Sequence, residues 1–282
     1  MKTFVAEKKE KLSELLLDFY AGGLSYTAFC KLLRKKDIKV NGKRTSADIF
    51  LSPGDVIVCY FDGERRAAYS VIYKDENIVA VDKRKGVSSE EVFGEIKVEF
   101  PSALFCHRLD TNTDGIMIFA LNPRSYDALF NGFKARSFEK FYIAEVWGHF
   151  EVKRAVLTAY LKKDEKNSLV RVYDEPIKGA KKIITGYEVL KEKPQTSLVE
   201  VEIFTGRTHQ IRAHLAHEGH FVLGDGKYGV EKINRELKVK ELKLTSYKTI
   251  LHFGKQSFLS YLDGFCLTLS KNSIKDQLLN AD

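Results

Sequence analysis

The sequence predicts an α+β protein in which a small first domain precedes a larger second one. Apolar residues recur at helical spacing over 12–19 and again over 26–34. Asn41 and Gly42 then follow a short apolar segment, and this pair is typical of a hairpin turn. Farther along, continuous apolar runs such as 116–121 predict buried strands that alternate with a few helices.

The first domain is predicted to span residues 1–64 and the second 65–282, with a polar linker over 61–70. In the first domain, two helices are followed by a predicted strand with a hairpin signal at 38–44, a turn at 52–55 and a second strand at 56–61. The second domain is predicted to hold strands at 71–83 (a pair), 116–121, 138–146, 155–198 (several short ones) and 199–204, helices at 88–100, 124–134 and 208–218, and closing strands or a strand with a short helix at 242–253 and 258–269.

The composition excludes several classes of protein. Hydrophobic residues make up 44% of the 282, which is ample for a buried core. The charged amino terminus lacks a signal-peptide core or a membrane span, so we expect a cytoplasmic protein. The four cysteines form no C-x-x-C pair, which argues against a disulfide framework or a zinc knuckle. A net charge of +8 suits a polyanionic partner without identifying one.

The chain is organised around the polar stretch 106–115, which precedes the apolar run 116–121. Arg108 and Asp110 lie two residues apart in it, so a carboxylate and a cation sit at the rigid edge of a strand. An isolated Arg-x-Asp of this kind is usually an ordinary surface ion pair. The residues that flank this pair favour a functional site instead.

Three ordered blocks resemble the signatures of the RluA-type pseudouridine synthases. They are the stretch C-H-R-L-D-T-N-T-D-G at 106–115, K-F-Y-I-A-E-V-W-G at 140–148, and G-R-T-H-Q-I-R-A-H-L-A at 206–216 with G-D-G-K-Y-G at 224–229. The resemblance implies a pseudouridine synthase fold with a mixed, largely antiparallel central sheet. It also implies an enzyme that isomerises uridine in RNA to pseudouridine by base flipping, without a metal or other cofactor.

The same resemblance assigns the site residues. Asp110 would be the nucleophile, Tyr142 would stack on the uracil and is a candidate base, and Arg207 would be the cation that partners Asp110. Arg108 would fill the gap left by the flipped nucleotide, and Ile211 would form an apolar wall against the base. His107, Thr208 and His209 are further candidates for substrate binding. Whether Asp110 attacks the sugar, attacks the ring or assists elimination to a glycal is left open.

The first domain resembles the alpha-L, or S-four-type, RNA-binding domain. The resemblance rests on its predicted helix–helix–hairpin order and on the segment R-K-K-D-I-K-V-N-G-K-R at 34–44. We expect its basic side chains to contact phosphates. These residues are Arg34, Lys35, Lys36, Lys39, Lys43 and Arg44. The expected partner is RNA, with large-subunit ribosomal RNA first and transfer RNA left open, and we expect a monomer.

Two positions depart from the family pattern. Arg84 stands where the family has a proline, which should loosen that turn without touching a catalytic group. Asp114 stands where the family has a serine, and it adds a negative charge four residues from Asp110. We expect Asp114 to point away from Asp110.

Other patterns compete weakly with this interpretation. The glycines at 224, 226 and 229 match a dinucleotide signature but lie outside an opening strand–helix–strand unit. Asp110 with Asp114 could suggest a glycosidase, but they are predicted to lie in a loop. Four histidines between 209 and 220 match no standard zinc spacing. The main alternative is a catalytically silent RNA-binding protein of the same fold.

Overall fold

The computed structural model describes residues 1–20, 24, 26–61, 67–164 and 169–269. The chain divides into two compact units, Met1–Ala67 and Ala68–Asp282. The boundary expected between residues 64 and 65 falls in the segment 62–66, which lies outside the described residues. No helix in the described part of the chain is long and apolar enough to cross a membrane.

The first unit packs two helices against short strands. Its elements are β1 (Lys2–Val5), β2 (Glu10–Lys11), α1 (Leu12–Phe19), α2 (Tyr26–Lys35), β3 (Ile38–Val40), β4 (Lys43–Arg44), β5 (Phe50–Leu51) and β6 (Val56–Cys59). Strands β1, β6, β3 and β4 form one sheet in that order, and β2 pairs with β5. The predicted hairpin turn is present, since Asn41 and Gly42 both adopt positive φ between β3 and β4.

The second unit is built on one large sheet. Its elements are β7 (Tyr69–Lys74), β8 (Ile78–Lys83), α3 (Ser89–Glu99), β9 (Leu104–Phe105), β10 (Asp114–Ala120), α4 (Pro123–Ala135), β11 (Glu139–Trp147), β12 (Arg154–Asp164), β13 (Leu169–Tyr173), β14 (Lys181–Glu192), β15 (Thr196–Ile203), α5 (Gln210–His217), α6 (Glu231–Glu236), β16 (Leu244–Ile250), the 3-10 helix Ser260–Leu262 and β17 (Cys266–Thr268). The strands predicted as short over 155–198 are instead long, because β12 and β14 pair along eight residues of each.

The sheet order is β13-β12-β14-β15-β11-β16-β10-β8-β7, with β17 on β16 and β9 on β10. Strands β10 and β16 run parallel, and the other pairings of the described strands are antiparallel. This confirms the predicted α+β class with a mixed, largely antiparallel sheet. Two buried clusters cover its faces, and β10 contributes Met117 to one and Ile118 to the other. A strand buried on both faces provides a rigid base for the polar stretch that precedes it.

Candidate active site

A cavity of about 510 Å³ opens in the second unit beside the start of β10. All eight site residues expected from the three sequence blocks line it. They are Asp110, Tyr142, Arg207, Arg108, Ile211, His107, Thr208 and His209. The blocks lie far apart in sequence, and the sheet brings them together because β11 and β16 lie between β15, which leads into α5, and β10. The cavity is therefore the candidate active site.

The loop that carries Asp110 is anchored on both sides. Ser89 starts α3, and its hydroxyl donates to the Leu109 carbonyl at 2.8 Å and accepts from the Leu109 N–H at 3.0 Å. Lys83 is fully buried, and its ammonium donates to three backbone carbonyls, one of which belongs to Thr111. These contacts fix the backbone immediately before and after Asp110, so the carboxylate is presented from a rigid support.

Gly115 explains how closely that loop approaches the neighbouring strand. It has φ of +114° and pairs with Ser246 of the parallel strand β16. A Cβ added there would lie 2.1 Å from the Ser246 carbonyl oxygen. Only glycine fits both the conformation and the space at the end of the 106–115 block.

The guanidinium group of Arg212 holds the Asp110 carboxylate. Its Nη1 donates to Asp110 Oδ2 at 2.9 Å, while Nε and Nη2 donate to the two oxygens of Asp225 at 2.7 and 2.8 Å. Burial alone would lower the pKa of Arg212, but the hydrogen bonds and charges of Asp225 and Asp110 raise it. The cation therefore stays charged between two carboxylates. The expectation that Arg207 partners Asp110 is wrong, since that contact belongs to Arg212.

Helix α5 explains why Arg212 takes this place. The helix begins at Gln210, so Arg212 lies in its first turn and only 5% of it is exposed. Arg207 lies before the helix, where its backbone N–H donates to Gln210 Oε1 at 3.1 Å. The Nε of Arg207 is buried and lacks a hydrogen-bond partner among the described residues.

Asp225 is fixed in turn by the glycine-rich segment that follows α5. Its Oδ1 accepts from the backbone N–H of Lys227 at 2.8 Å and of Tyr228 at 3.2 Å. Burial would raise the pKa of Asp225, but the hydrogen bond and charge of Arg212 lower it. The 224–229 segment thus fixes Asp225, and Asp225 in turn orients the guanidinium group of Arg212.

Tyr142 faces the cavity from β11 at an irregular point of the sheet. The register of β11 against β16 shifts between Phe141 and Tyr142, which places Tyr142 opposite Ser246. Such a bulge re-aims the side chains around it. Burial raises the pKa of Tyr142 to about 12, with the charge of Asp110 adding to the rise and a hydrogen bond with Ser246 opposing it. The phenol is therefore neutral at physiological pH.

His209 links the nucleophile candidate to the far edge of the sheet. Its Nε2 lies 3.8 Å from Asp110 Oδ2, and its Nδ1 lies 2.8 Å from the Tyr228 hydroxyl. That hydroxyl accepts from the Val170 N–H at 2.9 Å, which leaves its own proton for Nδ1. Burial lowers the pKa of His209, so its neutral ring points an Nε2–H toward Asp110. His209 also has φ of +54°, a strained conformation for a non-glycine residue.

His107 and Arg108 occupy different environments although they are adjacent. His107 accepts from the Ile118 N–H at 2.9 Å and stacks on Phe133, and burial lowers its pKa to about 3. It therefore anchors the loop to β10. Arg108 is two-thirds exposed and pairs with Glu90 at 3.1 Å, a surface contact that competes little with another partner.

Residues 68–217 match the sequence profile of the family described as RNA pseudouridylate synthase, which is more than half of the chain. The chain belongs to this family. The ribosomal large subunit pseudouridine synthase C of Vibrio vulnificus is 32% identical over 225 residues, covering 71% of this chain and 70% of the relative. The dual-specificity RNA pseudouridine synthase RluA of Vibrio parahaemolyticus is 32% identical over 203 residues, covering 67% and 76%.

A solved structure agrees with this assignment. The human RNA pseudouridylate synthase domain containing 1 superimposes with a TM-score of 0.59 at 25% identity, covering 77% of this chain and 96% of that one. The predicted RluA-type family and pseudouridine synthase fold are confirmed, and the chain is an RNA pseudouridine synthase. Enzymes of this class isomerise uridine in RNA.

The two residues of the synthase that depart from the family signature, Arg84 and Asp114, lie in or beside one turn. Asp114 accepts from the Thr245 hydroxyl at 2.9 Å and pairs with Lys85 at 3.3 Å. Lys85 also donates to the Leu242 carbonyl at 2.6 Å. Asp114 is therefore held by partners other than those of Asp110. The same contacts tie the turn around Arg84 to the segment that leads into β16.

The four clustered histidines of the synthase have separate partners. His214 is buried against the Thr185 hydroxyl, His217 pairs with Asp174, and His220 lies 3.1 Å from the Trp147 carbonyl. Within the described ranges, there is no group of three or more His, Cys, Asp and Glu that could hold a metal ion.

Two of the six basic residues predicted to bind RNA in the first unit lie beside one aromatic ring. Lys39 and Arg44 are opposite each other in the β3–β4 hairpin, with their charged groups 5.5 and 5.6 Å from the centre of the Tyr60 ring. Arg34, Lys35, Lys36 and Lys43 are exposed. Tyr60 was not among the predicted residues, although an aromatic ring beside basic side chains is a known signal of nucleic-acid binding.

Sequence reasoning missed four residues of the cavity network. They are Arg212, Asp225, Tyr228 and Lys140. All four stand inside the quoted blocks, so the signal was their membership of those blocks. The partners of Arg212, Asp225 and Tyr228 could not be assigned because each contact joins segments that meet only in the folded chain.

Proposed function

We propose that this synthase isomerises a specific uridine with Asp110 as its nucleophile, after flipping that nucleotide into the cavity. The observation that carries the proposal is the position of Asp110, a partly exposed carboxylate that faces a cavity and is held at 2.9 Å by a buried cation. A positioned, charge-stabilised carboxylate is what each of the three conceivable routes requires, whether through the sugar, the ring or a glycal.

The reaction exchanges one bond to the ribose for another. The bond from ribose C1′ to uracil N1 breaks, the uracil rotates, and C1′ bonds to C5. The hydrogen on C5 leaves as a proton, and N1 gains one, so no electrons enter or leave. Tyr142 supports the base on one side and, as a neutral phenol, can exchange a proton within the cavity. Ile211 is buried and offers an apolar wall.

Arg108 is placed to occupy the gap that flipping leaves in the RNA. Its flat cation is exposed at the cavity mouth, two residues before Asp110. A guanidinium can stack between bases and donate hydrogen bonds at once. Extracting a nucleotide costs a few kcal/mol of lost stacking, which such an insertion offsets in part.

The substrate proposed first is uridine in large-subunit ribosomal RNA, because the Vibrio vulnificus relative is named for that RNA. The first unit would then act as an S-four-type RNA-binding domain, with its phosphate contacts around Tyr60. Mapping pseudouridine in cells without the synthase tests this. Loss of a ribosomal site is expected, and loss confined to transfer RNA would overturn the choice of substrate.

Release of tritium from RNA labelled at uridine C5 tests the nucleophile. We expect wild-type synthase to release tritium and the Asp110→Ala variant to release none while still binding RNA. The Asp127→Ala variant is the matched control, since Asp127 is an exposed residue of α4 outside this cavity. Equal release by wild type and Asp110→Ala would refute the role of Asp110. Binding without release in both would favour a catalytically silent RNA-binding protein.

A further inference from the structure

Four cations that line the active-site cavity lack an acidic partner among the described residues. They are Lys134 and Arg136, at the end of α4, Lys140, on β11, and Arg207, before α5. Arg212 also lines the cavity, but its charge is balanced because it lies between Asp110 and Asp225. Like charges gathered in one place repel one another unless an anion joins them. The four unbalanced cations therefore favour an anionic ligand in the cavity.

Lys140 points into the cavity beside Tyr142. The two residues are two apart on β11, so their side chains leave the same face of the strand. The Lys140 ammonium lies 5.9 Å from the centre of the Phe133 ring, and it is 3.5 Å from where a Cβ of Gly206 would lie. The absent side chain of Gly206 leaves the ammonium accessible from the cavity.

Arg207 adds an unsatisfied donor next to Gly206. Its Nε is buried and has no hydrogen-bond partner in the described part of the chain. A buried donor left in this way is unfavourable, so such groups in native proteins usually have a partner. The Nε itself is covered, but Arg207 lines a cavity that a substrate must enter, so its guanidinium group lies where a ligand acceptor would be bound.

We propose that Lys140 and Arg207, with Arg136 at the rim, form a subsite for a backbone phosphate of the flipped nucleotide. This proposal deepens the proposed function and rests on it. The carbonyl oxygens of uracil are neutral acceptors, whereas a phosphodiester carries the full negative charge that unpaired cations favour. A phosphate held at Gly206 would fix the ribose relative to Asp110 while the uracil is free to turn.

Steady-state tritium release by charge-removing variants tests the subsite. We expect Lys140→Met and Arg207→Met each to raise KM about ten- to a hundredfold and to leave kcat within about threefold. Each should also reduce the slope of log affinity against log salt by about one phosphate contact. Lys140→Arg should restore most of the lost affinity. Lys232→Met removes the same charge from an exposed site on α6 and should change neither constant.

A second experiment, with modified RNA substrates, shows which phosphate is bound. RNA is made with a neutral methylphosphonate in place of each phosphate that flanks the target uridine, one at a time. One of the two should raise the wild-type KM by the same factor as Lys140→Met, and combining that RNA with the variant should add no further loss. Full additivity for both linkages would overturn the subsite.

The pH dependence of KM gives an independent readout. Burial, together with Arg136, lowers the pKa of Lys140 to about 8. The other charged or titratable groups that line the cavity with it are Arg108, Asp110, Lys134, Tyr142, Arg207, His209, Arg212 and His107, and the pKa of His107 is about 3. Since a lysine loses its charge above its pKa, the wild-type KM should rise between pH 7 and pH 9, and the KM of Lys140→Met should not.

Two results would overturn the proposal. A fall in kcat with unchanged KM in Lys140→Met and Arg207→Met would assign these cations to the detached uracil. Unchanged KM and kcat in both variants would leave the cations without a role in substrate binding. Failure of the proposed nucleophile is distinguishable, because it would appear as turnover by Asp110→Ala while the Lys140 and Arg207 variants could still raise KM.

Discussion

Arg212 donates to Asp110 at 2.9 Å from a guanidinium whose other two nitrogens both donate to Asp225. Asp225 thus fixes the orientation of the guanidinium group, and the nitrogen that faces Asp110 has little freedom to turn away. A preorganised cation of this kind stabilises a carboxylate without reorganising during the reaction. Arg207 has no comparable contact with either acid.

The first prediction separates the two arginines by kinetics. Arg212→Met should lower kcat by about 10²–10³, because it removes the cation that holds the nucleophile. Arg207→Met should act on KM instead, since its side chain meets the substrate and not Asp110. Tritium release under saturating RNA measures both. The reverse pattern, with kcat lost in Arg207→Met and kept in Arg212→Met, would contradict the observed pairing.

Tyr142→Phe tests the phenol apart from the ring. The substitution keeps the aromatic surface against the base and removes the hydroxyl, so RNA affinity should be unchanged and kcat should fall about 10²–10⁴ if that hydroxyl moves a proton. Because the pKa of Tyr142 is about 12, its phenol should not titrate between pH 6 and pH 9. Single-turnover tritium release is the measurement. Full activity in the Phe variant would restrict Tyr142 to stacking.

The sequence located the site because each of its motifs is contiguous and keeps its order. The eight predicted residues line one cavity, and the sheet class follows from the same resemblance. The sequence could not show which arginine contacts Asp110. Arg207 and Arg212 stand five residues apart in one block, and the choice depends on where α5 starts. It starts at Gln210, two residues later than predicted, which leaves Arg207 in the preceding loop.

The sequence also could not show which charged side chains of the cavity lack a partner of opposite charge. Lys140 stands two residues from Tyr142, and that spacing alone places both on one face of a strand. What makes Lys140 unusual is that it has no ion pair with any described acidic residue, since the adjacent Glu139 pairs with His252 instead, and only the packed structure reveals this. Long-range contacts of this kind carry no local sequence signal.

Asp114→Ser restores the residue that the family signature has at this position. We expect its tritium-release rate to stay within about twofold of wild type, because Asp114 is bound by Thr245 and Lys85 and not by the partners of Asp110. Stability should fall by less than about 1 kcal/mol, the usual worth of a partly exposed ion pair. Urea unfolding measures that loss. A large gain or loss of rate would show that the Asp114 charge reaches the nucleophile.

The raised pKa of Asp82 should make the stability of the folded protein depend on pH. Burial, and then the charge of Asp114, raises its pKa to about 6, against lowering by Arg84 and Lys83. An unfolded aspartate titrates near 3.9, so the folded protein binds more protons between about pH 4 and pH 6. The contribution of Asp82 to stability therefore falls as pH rises through that window and stays unfavourable above it.

Asp82→Asn removes this ionisation and keeps an acceptor oxygen. We expect the variant to be more stable than wild type by about 1–2 kcal/mol at pH 7, a value reduced for the partial exposure of the group. At pH 4 the gain should vanish, because wild-type Asp82 is then protonated in the folded state. Urea unfolding at both pH values measures the difference, and the exposed Asp127→Asn serves as control. An equal gain at pH 4 and pH 7 would mean that packing, and not ionisation, is responsible.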